Sequence, residues 1–241
     1  MVEFFIPFVF LVITFLGLFL IFWRINTRKY ISSGTVASAY DSWTKDKLLE
    51  RLWGEHIHLG FYPPEEKYID FRKAKEQFVH ELVSWSGLDK LPRGSRILDV
   101  GCGIGGSSRI LAKYYGFNVI GITISPEQVK RATELTPYEC KCKFKVMDAL
   151  DLQFEDGTFD GIWSVEAGAH MNDKTKFADE ILRTLRPGGY LALADWNSRD
   201  LKMNPPSFVE KIILNQLLEQ WVHPKFISIK DFSKVLINNK N

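Results

Sequence analysis

Three glycines spaced as G-x-G-x-x-G, Gly101, Gly103 and Gly106, follow a short apolar run from Arg96 to Val100. A glycine loop between a strand and a helix directs backbone N–H groups and the positive end of a helix dipole at a bound ligand. The chemistry that this spacing indicates is the binding of a nucleotide. Taken alone the motif is weak evidence, so the neighbouring residues decide which nucleotide it favours.

The residues around the loop argue against a dinucleotide. A dinucleotide site carries an Asp or Glu about 20 residues further on, where it holds the ribose hydroxyls. The residue at the end of the second predicted strand is Thr123. Asp99 stands just before the loop, where its carboxylate could meet a cationic amino-acid head group.

Further motifs follow the loop in order. The set comprises Ile97–Gly106 (ILDVGCGIGG), Met147–Ala149 (MDA), Phe159–Asp160 (FD) and Leu185–Gly189 (LRPGG). It resembles class I S-adenosylmethionine-dependent methyltransferases. Four more segments are similar to the tocopherol methyltransferase family: Trp53–Tyr62, Gly121–Pro126, Trp163–Met171 and Ala194–Asn197. The resemblance runs from about Arg28 to the end of the chain.

This resemblance implies S-adenosylmethionine as the cofactor and a set of residues that bind it. The set is His58, Asp99, Gly101, Gly103, Gly105, Thr123, Ile124, Gln128, Asp148, Ala149 and Val165. Asp99 and the glycines would contact the amino-acid part of the cofactor, and Asp148 with Ala149 the adenine. The segment around His58 would cover the cofactor.

Several of these residues have alternative interpretations. Many methyltransferases carry an acidic residue at the place of Thr123. Gln128 also fits a capping box with Ser125, which needs no ligand. Asp148 could cap a helix. His56 and His58 could form a metal pair, but two histidines without further ligands are weak evidence, and we expect no metal.

His170 and Glu166 are the candidate catalytic residues. Methyl transfer from a sulfonium depends mainly on alignment, but a phenolic ring is a better carbon nucleophile as its phenolate, so a general base would help. Both residues follow the fourth predicted strand, and ligands gather at the carboxyl ends of parallel strands. Glu166 could instead hold the cofactor, and His170 could be a structural histidine. Relatives often carry a carboxylate at the place of Ala169, which weakens the transfer of roles.

Strands and helices alternate beyond Pro92. The predicted strands are Arg96–Val100, Asn118–Ile124, Phe144–Met147, Phe159–Val165 and Tyr190–Asp195. This alternation predicts an α/β fold, a Rossmann-like sheet with helices on both faces. Two helices are predicted before the sheet, from Val36 to Trp53 and from about Glu65 to Ser86. Two more are predicted after it, about Ser207 to Val222 and Ile229 to Ile237.

Class I methyltransferases have seven strands, so the resemblance implies that the last two strands are missing. We therefore expect a C-terminally truncated version or a fragment of a longer enzyme. The predicted organisation is an anchor over residues 1–23, a linker and helical cap over 24–92, and the S-adenosylmethionine-binding domain over 93–241.

An uncharged stretch from Phe4 to Trp23 is long enough, at about 1.5 Å per residue, for the roughly 30 Å of a bilayer core. It predicts one transmembrane helix and contact with membrane lipid. A secretory signal peptide is the alternative, disfavoured because no basic residue precedes the stretch. Arg24, Arg28 and Lys29 follow it, which predicts a single-pass protein with its catalytic domain on the cytoplasmic side of a cyanobacterial-type inner or thylakoid membrane.

The composition excludes other classes. The 241 residues carry a formal net charge of +2, which argues against nucleic acid as a partner. Three cysteines, of which Cys140 and Cys142 are two apart, favour free thiols in a reducing compartment over a disulfide framework. The oligomeric state is not readable from the sequence.

The resemblance implies C-methylation of a prenylated benzoquinol of the 2-methyl-6-phytylbenzoquinol type, on the way to tocopherol and plastoquinone. A γ-tocopherol-type methyltransferase is one alternative. A truncated, non-catalytic remnant that only binds the cofactor is the other.

Overall fold

The computed structural model describes residues 11–21, 28–65 and 69–238. Five strands form its sheet: β1 (Arg96–Val100), β2 (Asn118–Thr123), β3 (Cys142–Val146), β4 (Phe159–Val165) and β5 (Leu185–Ala194). Their order is β3-β2-β1-β4-β5, and every neighbouring pair is parallel. The Rossmann-like α/β sheet is therefore confirmed. The absence of two further strands from a longer sheet stays a prediction.

Helices precede, connect and follow the strands. Those before the sheet are α1 (residues 11–21), α2 (Ser33–Lys45), α3 (Leu48–Trp53) and α4 (Phe71–Ser86). Those between the strands are α5 (Gly106–Tyr115), α6 (Pro126–Leu135) and α7 (Lys174–Thr184), and α8 (Phe208–Trp221) and α9 (Ile229–Asn238) follow β5. Helices α5, α6 and α7 are the crossovers that parallel neighbours require.

Two elements begin or end where local conformation departs from the pattern. The helix predicted over Val36 to Trp53 is divided between α2 and α3, because Lys47 takes a left-handed conformation with φ of 52°. The helix predicted from Glu65 begins at Phe71, because the Asp70 carboxylate accepts hydrogen bonds from the backbone N–H groups of Arg72 and Lys73. An N-cap of this kind satisfies amides that have no partner within the helix.

Strand β5 starts earlier than the predicted Tyr190. Phe159 pairs with Leu185 and Gly161 pairs with Tyr190, with an irregular register between the two pairs. The intervening residues of β5 therefore bulge out of the ladder. Arg186 in this bulge forms an ion pair with Asp160, at 2.8 Å between Nε and Oδ1.

Both faces of the sheet are covered by helices. On one face α4 and α5 supply Val79, Val83 and Leu111, which pack against buried β1 and β4 side chains including Trp163. On the other face the buried side chains come from β1, β2, β4, α7 and α9, among them Phe177, Ile181 and Phe232. Because β1 leads to β2 on one side and β4 leads to β5 on the other, the strand order reverses between β1 and β4. The carboxyl ends of the strands at such a reversal form the ligand crevice of open α/β sheets.

The membrane prediction is corrected by the structure. Within residues 11–21, 28–65 and 69–238, no helix has both the length and the apolar character needed to cross a bilayer. Of the predicted anchor over residues 1–23, residues 1–10 and 22–23 lie outside the described part, and residues 11–21 are helical. This finding overturns the prediction of a single-pass membrane protein.

Candidate functional site

One cavity of about 350 Å³ opens at the carboxyl ends of β1, β2 and β4. It is lined by the loops after these strands, by α2 and by the C-terminal end of α8. Residues 54–61, called here the cover segment, also contribute to the lining. Of the predicted site residues, His58, Asp99, Gly101, Gly103, Thr123, Ile124, Gln128, Asp148, Ala149, Val165, Glu166 and His170 all line it. The structure therefore brings together almost the whole predicted set.

The glycine loop approaches the cavity with bare backbone. Gly101 has φ of +77°, and a Cβ there would lie 2.3 Å from the Cβ of Ala167. Gly103 has φ of +54°, and a Cβ there would meet no atom within 4 Å. Gly101 thus permits the close approach of two loops, whereas Gly103 leaves room over its backbone.

Gly105 is absent from the residues that line the cavity, and its contact with the cofactor stays a prediction. It precedes α5 with φ of +84°, and a Cβ there would lie 2.6 Å from the ring of Phe144 and 2.7 Å from Arg109. Its glycine is needed for a left-handed turn and for packing on the side away from the cavity. Gly106, the third glycine of the G-x-G-x-x-G motif, does line the cavity.

Asp99 is a buried carboxyl group at the base of the loop. Its side chain is 2% exposed and accepts a hydrogen bond of 2.5 Å from the hydroxyl of Ser108. Burial raises the pKa of Asp99 to about 7, and the Ser108 hydrogen bond opposes that rise only in part. A cation that binds next to Asp99 would favour its charged form.

Thr123 and Gln128 form a hydrogen-bonded pair at the end of β2. The Thr123 hydroxyl donates to Oε1 of Gln128 at 2.7 Å, which leaves the Gln128 amide Nε2 as the group that can donate to a ligand. Ser125 caps α6 by accepting from the Gln128 backbone N–H at 3.1 Å. The Gln128 side chain turns to Thr123, so the reciprocal half of the capping box is not formed.

Asp41 of α2 extends this arrangement. Its Oδ1 accepts hydrogen bonds from the hydroxyl of Ser125 at 2.5 Å and from the backbone N–H of Glu127 at 3.3 Å. The carboxylate therefore sits at the positive end of the α6 dipole. Helix α2 is in this way attached to the element that carries Gln128.

Asp148 follows β3 and accepts a hydrogen bond of 2.9 Å from the backbone N–H of Leu150. The residues after it form a turn, so the helix-cap interpretation does not apply. Tyr30 also lines the cavity, and its pKa is raised by burial and by the charge of Asp148.

His56 and His58 hydrogen-bond each other inside the cover segment. Nδ1 of His58 donates to the carbonyl of Leu59 at 2.8 Å, so Nε2 of the neutral ring must accept from Nδ1 of His56, which lies 3.1 Å away. Burial lowers the pKa of His56 to about 3 and that of His58 to about 4. In the part of the chain that the structure describes, no group of three or more potential ligands is arranged to hold a metal.

The cover segment is held down from two sides. The buried Lys75 of α4 donates from Nζ to the carbonyl oxygens of Trp53 and His56, at 3.0 and 2.8 Å. Oε1 of Glu166 accepts a hydrogen bond of 3.0 Å from the backbone N–H of Leu59. Glu166 has a left-handed backbone with φ of 54°, uncommon for a residue other than glycine.

His170 lies in a network of four residues. Its Nδ1 lies 3.4 Å from the carbonyl oxygen of Val222, to which it donates, and its Nε2 accepts from the hydroxyl of Tyr40 at 3.0 Å. The ring stacks on His223 with centroids 4.1 Å apart. Burial lowers the pKa of His170 to about 4, so the imidazole is neutral near pH 7.

Sequence reasoning missed several of these contacts. Tyr30, Tyr40, Asp41 and His223 are not among the residues that the sequence patterns single out. No local pattern marks these residues, because each reaches the cavity only through the docking of α2 or α8. The left-handed Val222, with φ of 57°, ends α8 and positions both its own carbonyl group and His223.

Comparison with known proteins identifies similar chains. Residues 98–193 match the methyltransferase domain family. The chain is 59% identical over 222 residues to 2-methyl-6-phytyl-1,4-hydroquinone methyltransferase of a Synechocystis species, covering 91% of this chain and 68% of that enzyme. It is 38% identical over 201 residues to the chloroplastic tocopherol O-methyltransferase of Arabidopsis thaliana, covering 78% of this chain and 58% of the other.

Among solved structures, the fold is similar to that of a geranyl diphosphate C-methyltransferase from Streptomyces coelicolor. The TM-score is 0.68 at 20% identity, and the match covers 86% of this chain and 78% of the other. At this identity the likeness concerns the fold alone.

Proposed function

This chain belongs to the S-adenosylmethionine-dependent methyltransferases, and on that premise we propose that it methylates a ring carbon of a prenylated 1,4-hydroquinone. The observation that carries the proposal is the 59% identity, over 91% of the chain, to an enzyme named for a phytylated hydroquinone. The chain spans 68% of the length of that enzyme. The proposal concerns the activity of the cavity described above.

The residues of the cavity fit the cofactor. Gly103 lines the cavity, and a Cβ there would meet no atom within 4 Å. The N-terminal amides of α5 follow directly, so the amino-acid part of S-adenosylmethionine would meet free N–H groups. Asp99 would attract its ammonium group. The cavity volume of about 350 Å³ falls in the range of small-molecule sites. When bound, the cofactor supplies a methyl group activated by a sulfonium.

The remaining residues of the cavity take the roles that the family resemblance implies. Gln128, through its free amide Nε2, would hold the ribose together with Thr123. Asp148 and Ala149 would contact the adenine, and Ile124 and Val165 would pack along the cofactor. His58, in the cover segment, would help to cover the cofactor.

Tyr40 and His170 are the groups that would activate the acceptor. The neutral His170 has Nδ1–H donating to Val222, so its Nε2 lone pair can take a proton. A hydroxyl of the acceptor that donates to Oη of Tyr40 would pass its proton along the existing hydrogen bond to Nε2 of His170. The phenolate formed at the acceptor is the better carbon nucleophile.

Glu166 has a different role in this proposal. Its Oε1 already accepts from Leu59, so it holds the cover segment over the cavity. Its second carboxylate oxygen can still accept from a ligand. We therefore assign the proton transfer to His170 and the closing of the cavity to Glu166.

Methylation of a tocopherol is the second candidate, favoured by the 38% identity to the Arabidopsis tocopherol O-methyltransferase. The two candidates differ in the acceptor and in the atom that is methylated. They share the cofactor site.

A methylation assay with isotopically labelled S-adenosylmethionine and both acceptors tests the proposal. We expect label on a ring carbon of 2-methyl-6-phytyl-1,4-hydroquinone, identified by mass spectrometry and NMR of the product. Label only on the tocopherol would support the second candidate. Cofactor binding by isothermal titration without any labelled product would identify a remnant that binds the cofactor alone.

A further inference from the structure

Helix α8 carries an apolar stripe that leads from the protein surface into the cavity. Val209, Ile213, Leu217 and Trp221 are spaced four residues apart, so they lie along one face of the helix. Leu217 and Trp221 line the cavity. Val209 and Ile213 are 62% and 60% exposed. The stripe therefore begins in the cavity wall and continues outside it.

Two charged side chains of α8 form ion pairs with residues outside the helix. Glu210 forms an ion pair with Arg199, at 3.0 Å between Oε1 and Nη2. Glu219 lies 3.8 Å from Nζ of Lys29. On a helix of 3.6 residues per turn, Lys211 and Glu219 fall on the side opposite the stripe. The four side chains of the stripe thus follow one another as an apolar row, with Glu210, Gln216 and Gln220 beside them.

We propose that Val209, Ile213, Leu217 and Trp221 bind the isoprenoid tail of the acceptor, an inference that rests on the proposed function. Two features of the structure support this occupant. The stripe is continuous with the cavity, which Leu217 and Trp221 line together with Tyr40 and His170. Val209 and Trp221, the two ends of the stripe, are 12 residues apart and so about 18 Å apart along the helix. This length suits a chain of several isoprene units.

Apolar residues of the cavity lining would receive the first part of the tail. Met171 and Trp196 line the cavity together with Leu217 and Trp221. An acceptor whose ring lies near Tyr40 would extend its tail from these residues to the exposed Ile213 and Val209.

The test compares two acceptors and two variants. The acceptors are 2-methyl-6-phytyl-1,4-hydroquinone and the same hydroquinone with a single isoprene unit, presented in the same detergent. The variants are Ile213→Asn and the matched control Ile229→Asn. Ile229 is 66% exposed, begins α9 and is outside the cavity lining.

For Ile213→Asn we expect kcat/KM on the phytyl acceptor to fall about five-fold, because apolar contact with the tail is lost. The single-isoprene acceptor should react at the parent rate, and Ile229→Asn should leave both reactions unchanged. An equal loss on both acceptors, or no loss on either, would overturn the tail site. A second result would also overturn it: Ile213→Asn changes the oligomeric state, measured by sedimentation, but leaves the ratio of kcat/KM for the two acceptors unchanged. The stripe would then join two copies of the chain.

The proposed function and the tail site can fail separately. If the parent chain methylates neither hydroquinone, the proposed function fails. Isothermal titration of the two hydroquinones then still decides the tail site. A preference for the phytyl compound that Ile213→Asn removes and Ile229→Asn retains would support it, and equal affinities would overturn it.

Discussion

The hydroxyl of Tyr40 donates to Nε2 of His170 over 3.0 Å, although the two residues are 130 positions apart in the chain. The bond joins α2 to the loop after β4, and it orients His170 together with the carbonyl of Val222. Burial raises the pKa of Tyr40 above its ordinary value, so the phenol stays protonated and donates. In the proposed function this bond is the proton path to a neutral imidazole, and its two ends come from distant parts of the chain.

Removing the hydroxyl of Tyr40 should disable this path. For Tyr40→Phe we expect kcat on the hydroquinone to fall about 100-fold, within the usual range of general acid–base catalysis. Cofactor affinity should be unchanged, because the assigned cofactor residues lie elsewhere in the cavity. Steady-state kinetics and isothermal titration measure the two quantities. Tyr138→Phe, at a fully exposed position, is the control; equal kcat for both variants would contradict the assignment.

The stability of the protein should decrease in weak acid. Burial lowers the pKa of His56 and His223 to about 3 and that of His58 and His170 to about 4. In the unfolded chain histidine titrates near about 6.5, so below that pH the unfolded state binds more protons. The histidines' contribution to stability is complete above about pH 6.5 and is lost as the pH falls towards about 4.

Calorimetry between pH 7 and pH 5 measures this effect as a steady decrease of Tm. His223→Phe removes one of the four titrating rings, and its stability should depend less steeply on pH. The slope should become shallower by up to about 1.4 kcal/mol per pH unit. An unchanged slope in His223→Phe would show that this ring is not buried in its neutral form.

Gly103→Ala should separate ligand binding from folding. A Cβ at Gly103 meets no atom within 4 Å, so the cost to stability is that of the positive φ, about 1 kcal/mol. Gly188 provides a matched control, because its φ is +75° and a Cβ there also meets nothing within 4 Å, but it does not line the cavity. We expect similar thermal stability for both variants and weaker S-adenosylmethionine binding only for Gly103→Ala. Equal affinities would exclude a ligand over Gly103.

Asp41→Ala should loosen the attachment of α2 to α6. The change removes the acceptor for the Ser125 hydroxyl and the Glu127 N–H, and we expect a loss of about 1 kcal/mol in the free energy of unfolding. Because Gln128 lies in the first turn of α6, the KM for S-adenosylmethionine should rise as well. Denaturant unfolding and steady-state kinetics give both values.

Asp46→Ala serves as the comparison for Asp41→Ala. Asp46 is an exposed residue at the end of α2. If both variants change KM to the same extent, the effect belongs to α2 as a whole and not to the Asp41 hydrogen bonds.

Much of this architecture follows from the sequence. Strand and helix alternation beyond Pro92 predicts the parallel sheet, because short apolar runs and helical periodicity are local properties. The glycine loop and Asp99 predict a nucleotide site at the carboxyl end of β1 for the same reason. The bulge at the start of β5 was not predicted, since its register depends on the pairing of Phe159 and Gly161 with residues of another strand.

The membrane prediction shows where composition is insufficient. The apolar character of Phe4–Trp23 is counted from the residues, whereas the length over which a chain is helical depends on the folded structure. In the described part of the chain no helix is long and apolar enough to span a bilayer.

The sequence by itself determined the sheet, the glycine loop and the family to which the chain belongs, because these depend on residues that are near one another along the chain. Only the tertiary structure decided that Tyr40 meets His170 and that Asp41 meets Ser125. It also decided that the Gln128 side chain turns towards Thr123. Such contacts depend on how α2 and α8 pack over the edge of the sheet, and no local pattern records that packing.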